Sequence, residues 1–202
     1  MKKLFGSIAA IVVLGGVAMA GGDIAPVEPV DNMAILTKAE GNFYTGLGIS
    51  AVSARDASVS MDIFSGKRGQ DRLWDVLLQV GYNINSYIAV EGRYLTTVAK
   101  ENSVDMDSWG FYLKPQYPVT GEVSVYALIG YGGVKMDGVN GGIVNVDDNG
   151  FQWGLGVDYH VTETVSVFFD YTSLANDMDG QYGATAQKAD ADAFTLGITY
   201  GF

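Results

Sequence analysis

Phe151-Gln-Trp-Gly-Leu-Gly-Val-Asp-Tyr-His160 is the stretch from which the rest of the chain is read. Phe151, Trp153, Leu155, Val157 and Tyr159 are apolar, whereas Gln152, Gly154, Gly156, Asp158 and His160 are polar or tiny. A strict period of two puts these rows on opposite faces of a β-strand. The apolar row is ordered along its length, with aromatic rings at both ends and aliphatic side chains between. A surface crossing a bilayer has this profile, because ring side chains favour the two interfaces and hydrocarbon favours the middle. Ten residues at ~3.3 Å rise, tilted by ~40°, span about 25 Å, the height of an outer-membrane apolar band.

One such segment taken alone favours a half-buried strand of a soluble sandwich, so the choice rests on repetition. The same alternation recurs over Phe43 to Ala51, Leu73 to Asn83, Tyr87 to Thr97, Trp109 to Tyr117, Val123 to Gly133, Val165 to Ser173 and Ala193 to Phe202. Pro115 falls in the apolar row of the fourth and cannot donate to a ladder, which predicts that this strand ends near it. With Phe151 to His160 as the sixth, the chain predicts eight strands, the smallest even-numbered outer-membrane barrel. Connections alternate in length. Those after the second, fourth and sixth strands are short turns, at Asn83 to Ser86, Pro118 to Glu122 and Val161 to Thr164. The others run long, over Val52 to Arg72, Val98 to Ser108, Val134 to Gly150 and Leu174 to Asp192. Short turns on the periplasmic side and long loops outside are the outer-membrane asymmetry.

Bulk decides which face is outside. An eight-stranded bore is only just wide enough for side chains. All three tryptophans and most of the other aromatic residues lie on the apolar row and would overfill it. Gly46, Gly48, Gly81, Gly130, Gly154, Gly156 and Gly197 lie on the other row and suit a narrow interior. Turning the apolar row to lipid also keeps its centre free of Arg and Lys, which would cost ~2–4 kcal/mol there. Closure removes every sheet edge, as lipid requires. The predicted fold is all-β: an eight-stranded antiparallel up-and-down transmembrane β-barrel. Trp74, Trp109, Trp153, Tyr82, Tyr131, Tyr159 and Tyr171 are its expected interface aromatics.

The first residues place this barrel in an exported chain. Met1-Lys2-Lys3, an apolar run from Leu4 to about Val17, and Ala18-Met19-Ala20 form a secretory signal peptide pattern with cleavage after Ala20. Residues 21–42, with Pro26 and Pro29 and no sustained period, are read as a periplasmic lead, and residues 43–202 as the barrel. No segment offers the ~20 continuous apolar residues of a spanning helix. There are no cysteines, so disulfides are not available. The formal net charge of −11 argues against nucleic acid as a partner.

The signal pattern, the eight alternating strands and the ending Phe194-Thr-Leu-Gly-Ile-Thr-Tyr-Gly-Phe202 resemble the small outer-membrane barrels of the OmpA/OmpX and opacity-protein type. The resemblance covers Phe43 to Phe202. It implies outer-membrane lipid as the surroundings and the outer-membrane assembly machinery as a partner during insertion, with Phe202, Tyr200 and Ile198 as the insertion signal. Such barrels serve as adhesins, surface-defence proteins, envelope anchors or narrow pores, and the fold does not choose among them. The anchoring role, which needs a peptidoglycan-binding domain after Phe202, is not carried over. The expectation is a structural or adhesin-like surface protein with acidic outer loops and a possible surface ligand. The rivals are a narrow porin and, further off, a lipid-modifying enzyme.

Asp75, Glu91, Arg93, Lys114, Asp158 and Asp170 fall on the inward row. Charges inside a narrow barrel must be paired and hydrogen-bonded, so these are expected to form an ion network that fills the lumen; a conduction path or proton relay is the alternative. His160 is the single histidine, at the periplasmic end of the sixth strand and far from the outer leaflet. With no cysteine and no clustered histidines, nucleophilic or zinc chemistry has no support, and the chain is expected to be neither an enzyme nor a cofactor binder. The oxygen-rich runs Asn176-Asp-Met-Asp-Gly180 and Asn145-Val-Asp-Asp-Asn-Gly150 offer Asp177, Asp179, Asp147 and Asp148 to Ca²⁺. Neither ends in a bidentate Glu, and solvated loop tips are the preferred explanation. Val59, Met61, Ile63 and Phe64 suggest an apolar contact patch in the first loop.

Overall fold

The computed structural model describes residues 42–58, 60–61, 70–100, 104–138, 145–182 and 185–202. The expected signal peptide, the lead up to Gly41, and Val59, Ile63 and Phe64 of the apolar patch lie outside them; Met61 is exposed. The described chain forms eight strands: β1 (Asn42–Asp56), β2 (Gln70–Asn85), β3 (Ile88–Lys100), β4 (Val104–Pro118), β5 (Val123–Gly138), β6 (Asn145–His160), β7 (Val165–Tyr182) and β8 (Thr185–Gly201). Each pairs antiparallel with the next, and β8 returns to β1 to close the barrel. Closure leaves no strand as a free sheet edge, the condition for a sheet in hydrocarbon.

The alternation read from the sequence sets the two faces. Leu47, Ile49, Leu78, Val80, Leu155 and Leu196 point outward and are exposed, while Tyr44, Leu77, Glu91 and Asp170 point inward and are buried. Rings bound the outward aliphatic band at both ends. Trp74, Trp109, Trp153, Tyr131 and Tyr171 form the belt towards the long hairpins. Tyr82, Tyr87, Tyr117, Tyr159, Tyr200 and Phe202 lie towards the short turns. Rings meet within each belt, as in the pairs Trp153–Tyr171 at 5.5 Å and Phe43–Tyr82 at 4.8 Å between centroids.

The long connections depart from expectation, because much of what reads as loop is strand. β7 and β8 run on to Tyr182 and Thr185, deep into the predicted loop Leu174 to Asp192, and β6 begins at Asn145 rather than Phe151. In β8 the inward residues there are small, as with Ala189 and Ala191, and the outward ones are charged, as with Lys188 and Asp190. A period of two is present, but without large apolar residues it is faint. Opposite charges face one another across this extension: Lys135 lies between Asp107 and Asp147 in the register, and Asp179 meets Lys188 at 2.5 Å. Being exposed, such pairs specify partners more than they stabilise. Irregular pairing of β7 with β8 between Ser173 and Met178 carries Asp177 at a φ of 52°, a left-handed conformation that Asp tolerates better than most residues. Pro115 also departs from expectation. It lies inside β4, which continues to Pro118, and Gln116 beside it donates its amide to the Tyr87 carbonyl at 2.8 Å.

Candidate functional site in the barrel lumen

The lumen is built in two layers. The layer towards the short turns is ionic. Arg93 of β3 reaches Glu91, two residues along the same strand, at 2.5 Å, and Asp170 of β7 across the bore at 2.8 Å. Lys114 of β4 lies 3.2 Å from Asp158 and 3.5 Å from Glu91. The side chains of all five are buried. Three tyrosines complete the layer. The Tyr44 hydroxyl donates to Glu91 at 2.5 Å, the Tyr126 hydroxyl donates to Asp170 at 2.7 Å, and the Tyr112 hydroxyl donates to the Gln152 side chain. Lys114 Nζ sits 3.8 Å from the centre of the Tyr126 ring, a contact that further compensates a desolvated cation.

Glycines make this layer possible. Tyr44 faces Gly81 across β1 and β2, Tyr112 faces Gly130, Tyr126 faces Gly156, and Phe168 faces Gly197. In each pair the ring lies over the glycine, where a Cβ would come within 2.1 Å of Tyr44, 2.6 Å of Tyr112, 2.4 Å of Tyr126 and 2.5 Å of Phe168. A missing side chain on one strand thus houses an aromatic ring from its neighbour, and for Tyr44 and Tyr126 the hydroxyl at the end of that ring reaches the charge cluster. This pairing went unread in the sequence. Gly81, Gly130 and Gly156 signalled only that the inner row is narrow, and the ring above each is known only once the register is known.

The second layer, towards the long hairpins, is mostly apolar, with Asp71 and Asp75 of β2 buried among its side chains. Leu77, Leu95 and Phe168 adjoin the ionic layer, and Val52, Leu73, Met106, Met136 and Met178, with the alanines of β8, continue it outward as one buried cluster. Gln152 ties the layers together: its amide donates to the Leu174 carbonyl at 2.9 Å while its oxygen accepts from Tyr112. An ion network filling the lumen was expected, so the mostly apolar outer half is a correction. It arises because the strand extensions bring inward residues that had been assigned to loops.

Not every candidate joins the network. Asp75 is buried and faces the lumen, but its neighbours in the register are Ser50 and Thr97, and it makes no ion pair among the described residues. It therefore stands apart from the other five charges. His160 lies in the lumen at the short-turn end, with Nδ1 2.8 Å from the Ser166 hydroxyl and Nε2 3.0 Å from that of Ser124. Two of the four candidate Ca²⁺ carboxylates, those of Asp148 and Asp179, are engaged within the protein. Asp148 accepts the amides of Asn149 and Asp179 at 2.8 and 3.0 Å, and these two hydrogen bonds hold its carboxyl below the usual carboxylate range. Asp179 is paired with Lys188, and no three acidic or histidine side chains converge as a metal site among the described residues.

Comparison with known proteins agrees with this architecture. Neisserial surface protein A is similar at a TM-score of 0.56 and 18% identity, over 81% of this chain and all of that one. The solid-state NMR structure of the outer membrane protein AlkL in lipid bilayers is similar at a TM-score of 0.53 and 16% identity, over 91% of this chain and 97% of that one. Ail, the attachment invasion locus protein of Yersinia pestis, in complex with the heparin analogue sucrose octasulfate, is similar at a TM-score of 0.52 and 16% identity, over 81% of this chain and all of that one. At such identities the likeness concerns the fold. No curated protein matches the chain. The family model of the outer membrane protein beta-barrel domain matches residues 10–202. With the closed eight-stranded sheet and its two aromatic belts, this match places the chain in that family, among the small barrels of the outer membrane.

Proposed function

We propose that this chain is a sealed surface barrel whose work is done by its extension outside the membrane, as a structural or adhesin-like protein, and not a pore. The observation that carries the reading is the double closure of the lumen. Buried ion pairs span it from Arg93 to Asp170 and from Lys114 to Asp158, and apolar side chains fill it above them. An ion entering this path would meet both a desolvated charge cluster and a hydrophobic barrier. Planar-bilayer recording of the purified protein tests this. The expected result is a silent membrane, and steady, reproducible conductance would replace the reading by a narrow porin.

Charge supports a choice of surface ligand. Ail is described with a polysulfated ligand, whereas the outer wall here exposes Asp105, Asp107, Asp137, Asp147, Asp177 and Asp179 against Lys135 and Lys188. Such a wall repels polyanions and attracts cationic partners. The expected outcome of a binding comparison is retention of a lysine-rich peptide and no retention of a sulfated oligosaccharide, the peptide signal falling as salt rises. The reading is also non-enzymatic. Replacing His160 by Ala is expected to leave the lipid A of a producing cell unaltered, and a lost lipid A product would overturn it.

A further inference from the structure

We propose that the lipid-facing wall carries a built seat for one acyl chain of a phospholipid, centred on Gly92. Gly92 lies on the outward row of β3, in register between Val80 of β2 and Phe111 of β4. Packing explains another glycine of the wall. A Cβ on Gly133, also on the outward row, would lie 2.4 Å from the Asn149 side-chain oxygen and 2.6 Å from the Trp109 indole nitrogen. At Gly92 it would meet only the Phe111 ring at 3.5 Å and the Val80 carbonyl at 3.9 Å, which are ordinary contacts, and the backbone is not left-handed. Neither sterics nor conformation demands a glycine, and glycine weakens a strand interior. Gly92 lies in a groove of about 480 Å³ in the wall, whose floor its missing side chain leaves uncovered.

The outward residues that line the groove, Phe43, Val80, Tyr82, Val90, Phe111 and Leu113, are uncharged, and the inward-row Glu91 and Tyr112 adjoin it from behind. The groove is shallow and open along its outward side. Its lower end is the Phe43–Tyr82 ring pair, which belongs to the belt at the short turns. A chain lying in it would therefore carry its head group at that interface, in the periplasmic leaflet. The same geometry disfavours a second barrel as occupant. Val80 and Phe111, 61% and 71% exposed, stand proud on either side of a one-residue notch. A flexible hydrocarbon chain can enter such a notch, but a convex wall cannot.

Native mass spectrometry of the whole protein in micelles containing palmitoyl-oleoyl phosphatidylethanolamine tests the seat. The wild type is expected to retain one phospholipid after the detergent is stripped, and Gly92→Leu to lose at least three-quarters of that retention. Ala127→Leu, which adds one carbon less to the outward face of β5, is expected to retain the lipid as the wild type does. Gly92→Ala, whose added methyl fits at ordinary contact, gives a variant certain to be judged on binding and should lose part of the retention. Equal retention in wild type and both Gly92 variants, or none in the wild type, overturns the proposal. Added lipopolysaccharide that displaces the phospholipid would overturn the leaflet. Gly92→Cys, in a chain with no other cysteine, should stay monomeric on oxidation in bilayers, and quantitative disulfide dimers would assign the groove to a second copy instead.

Discussion

Replacing Arg93 by Met keeps most of the side-chain volume and removes the charge. Glu91 then loses a contact at 2.5 Å but keeps the Tyr44 hydroxyl and Lys114; Asp170 loses its 2.8 Å contact and keeps the Tyr126 hydroxyl at 2.7 Å. The variant thus strands Asp170 more than Glu91. Removing one partner of a buried ion pair costs about 3–5 kcal/mol, most of it the uncompensated charge left behind. Neutralising the stranded group should recover part of that loss, so Arg93→Met with Asp170→Asn is expected to be more stable than Arg93→Met alone by about 1–3 kcal/mol, a coupling in the range seen for contacting residues. Urea unfolding in lipid vesicles measures both. Because the pair is buried, the shifts should hardly change between low and high salt. The single variant should remain silent in bilayer recording, since the apolar layer beyond Leu77 and Phe168 still closes the bore. A loss below about 1 kcal/mol for Arg93→Met, or no recovery in the double variant, would refute a pairing-dominated lumen. Steady conductance from the single variant would refute the second seal.

Further outcomes follow from the same geometry. Gly156→Ala puts a methyl 2.4 Å from the Tyr126 ring, and overpacking of this kind should cost about 1–3 kcal/mol; the same urea assay should find Gly92→Ala near neutral. The amide hydrogen bonds to Asp148 depress its pKa, so their contribution is present above the ordinary carboxylate value of 3.8 and lost as pH falls through the lowered one. Hydrogen exchange at the Asp179 amide should accordingly speed up, relative to neighbouring amides, in acid below that value, and Asp148→Asn should abolish the pH dependence. Phe202 is 70% exposed on the outer face, with its ring against Tyr200, so Phe202→Ala is expected to refold in detergent with little loss. If the resemblance to the insertion signal holds, the variant should reach the outer membrane poorly in cells, and equal membrane levels would reduce Phe202 to belt packing.

The fold was legible because a strand's period is local: Trp153, Leu155 and Val157 share a face whatever the rest of the chain does. Size then told lipid from lumen, since a bore of eight strands has no room for the aromatic row. The sequence therefore determined the strands within the membrane, their outward faces, the belts and the inward placing of Glu91, Arg93, Lys114, Asp158 and Asp170. It failed where size gave no signal. The strand extensions alternate alanine with charge, and their apolar lumen became visible only when pairing with neighbours brought Ala191, Met106 and Met136 into one cluster. Contacts across the bore were likewise decided only in three dimensions. Arg93 meets Asp170, and Asp75 meets no cation among the described residues, because stagger between strands fixes the height of each side chain. That stagger is a property of the closed sheet, and no local stretch of the sequence encodes it.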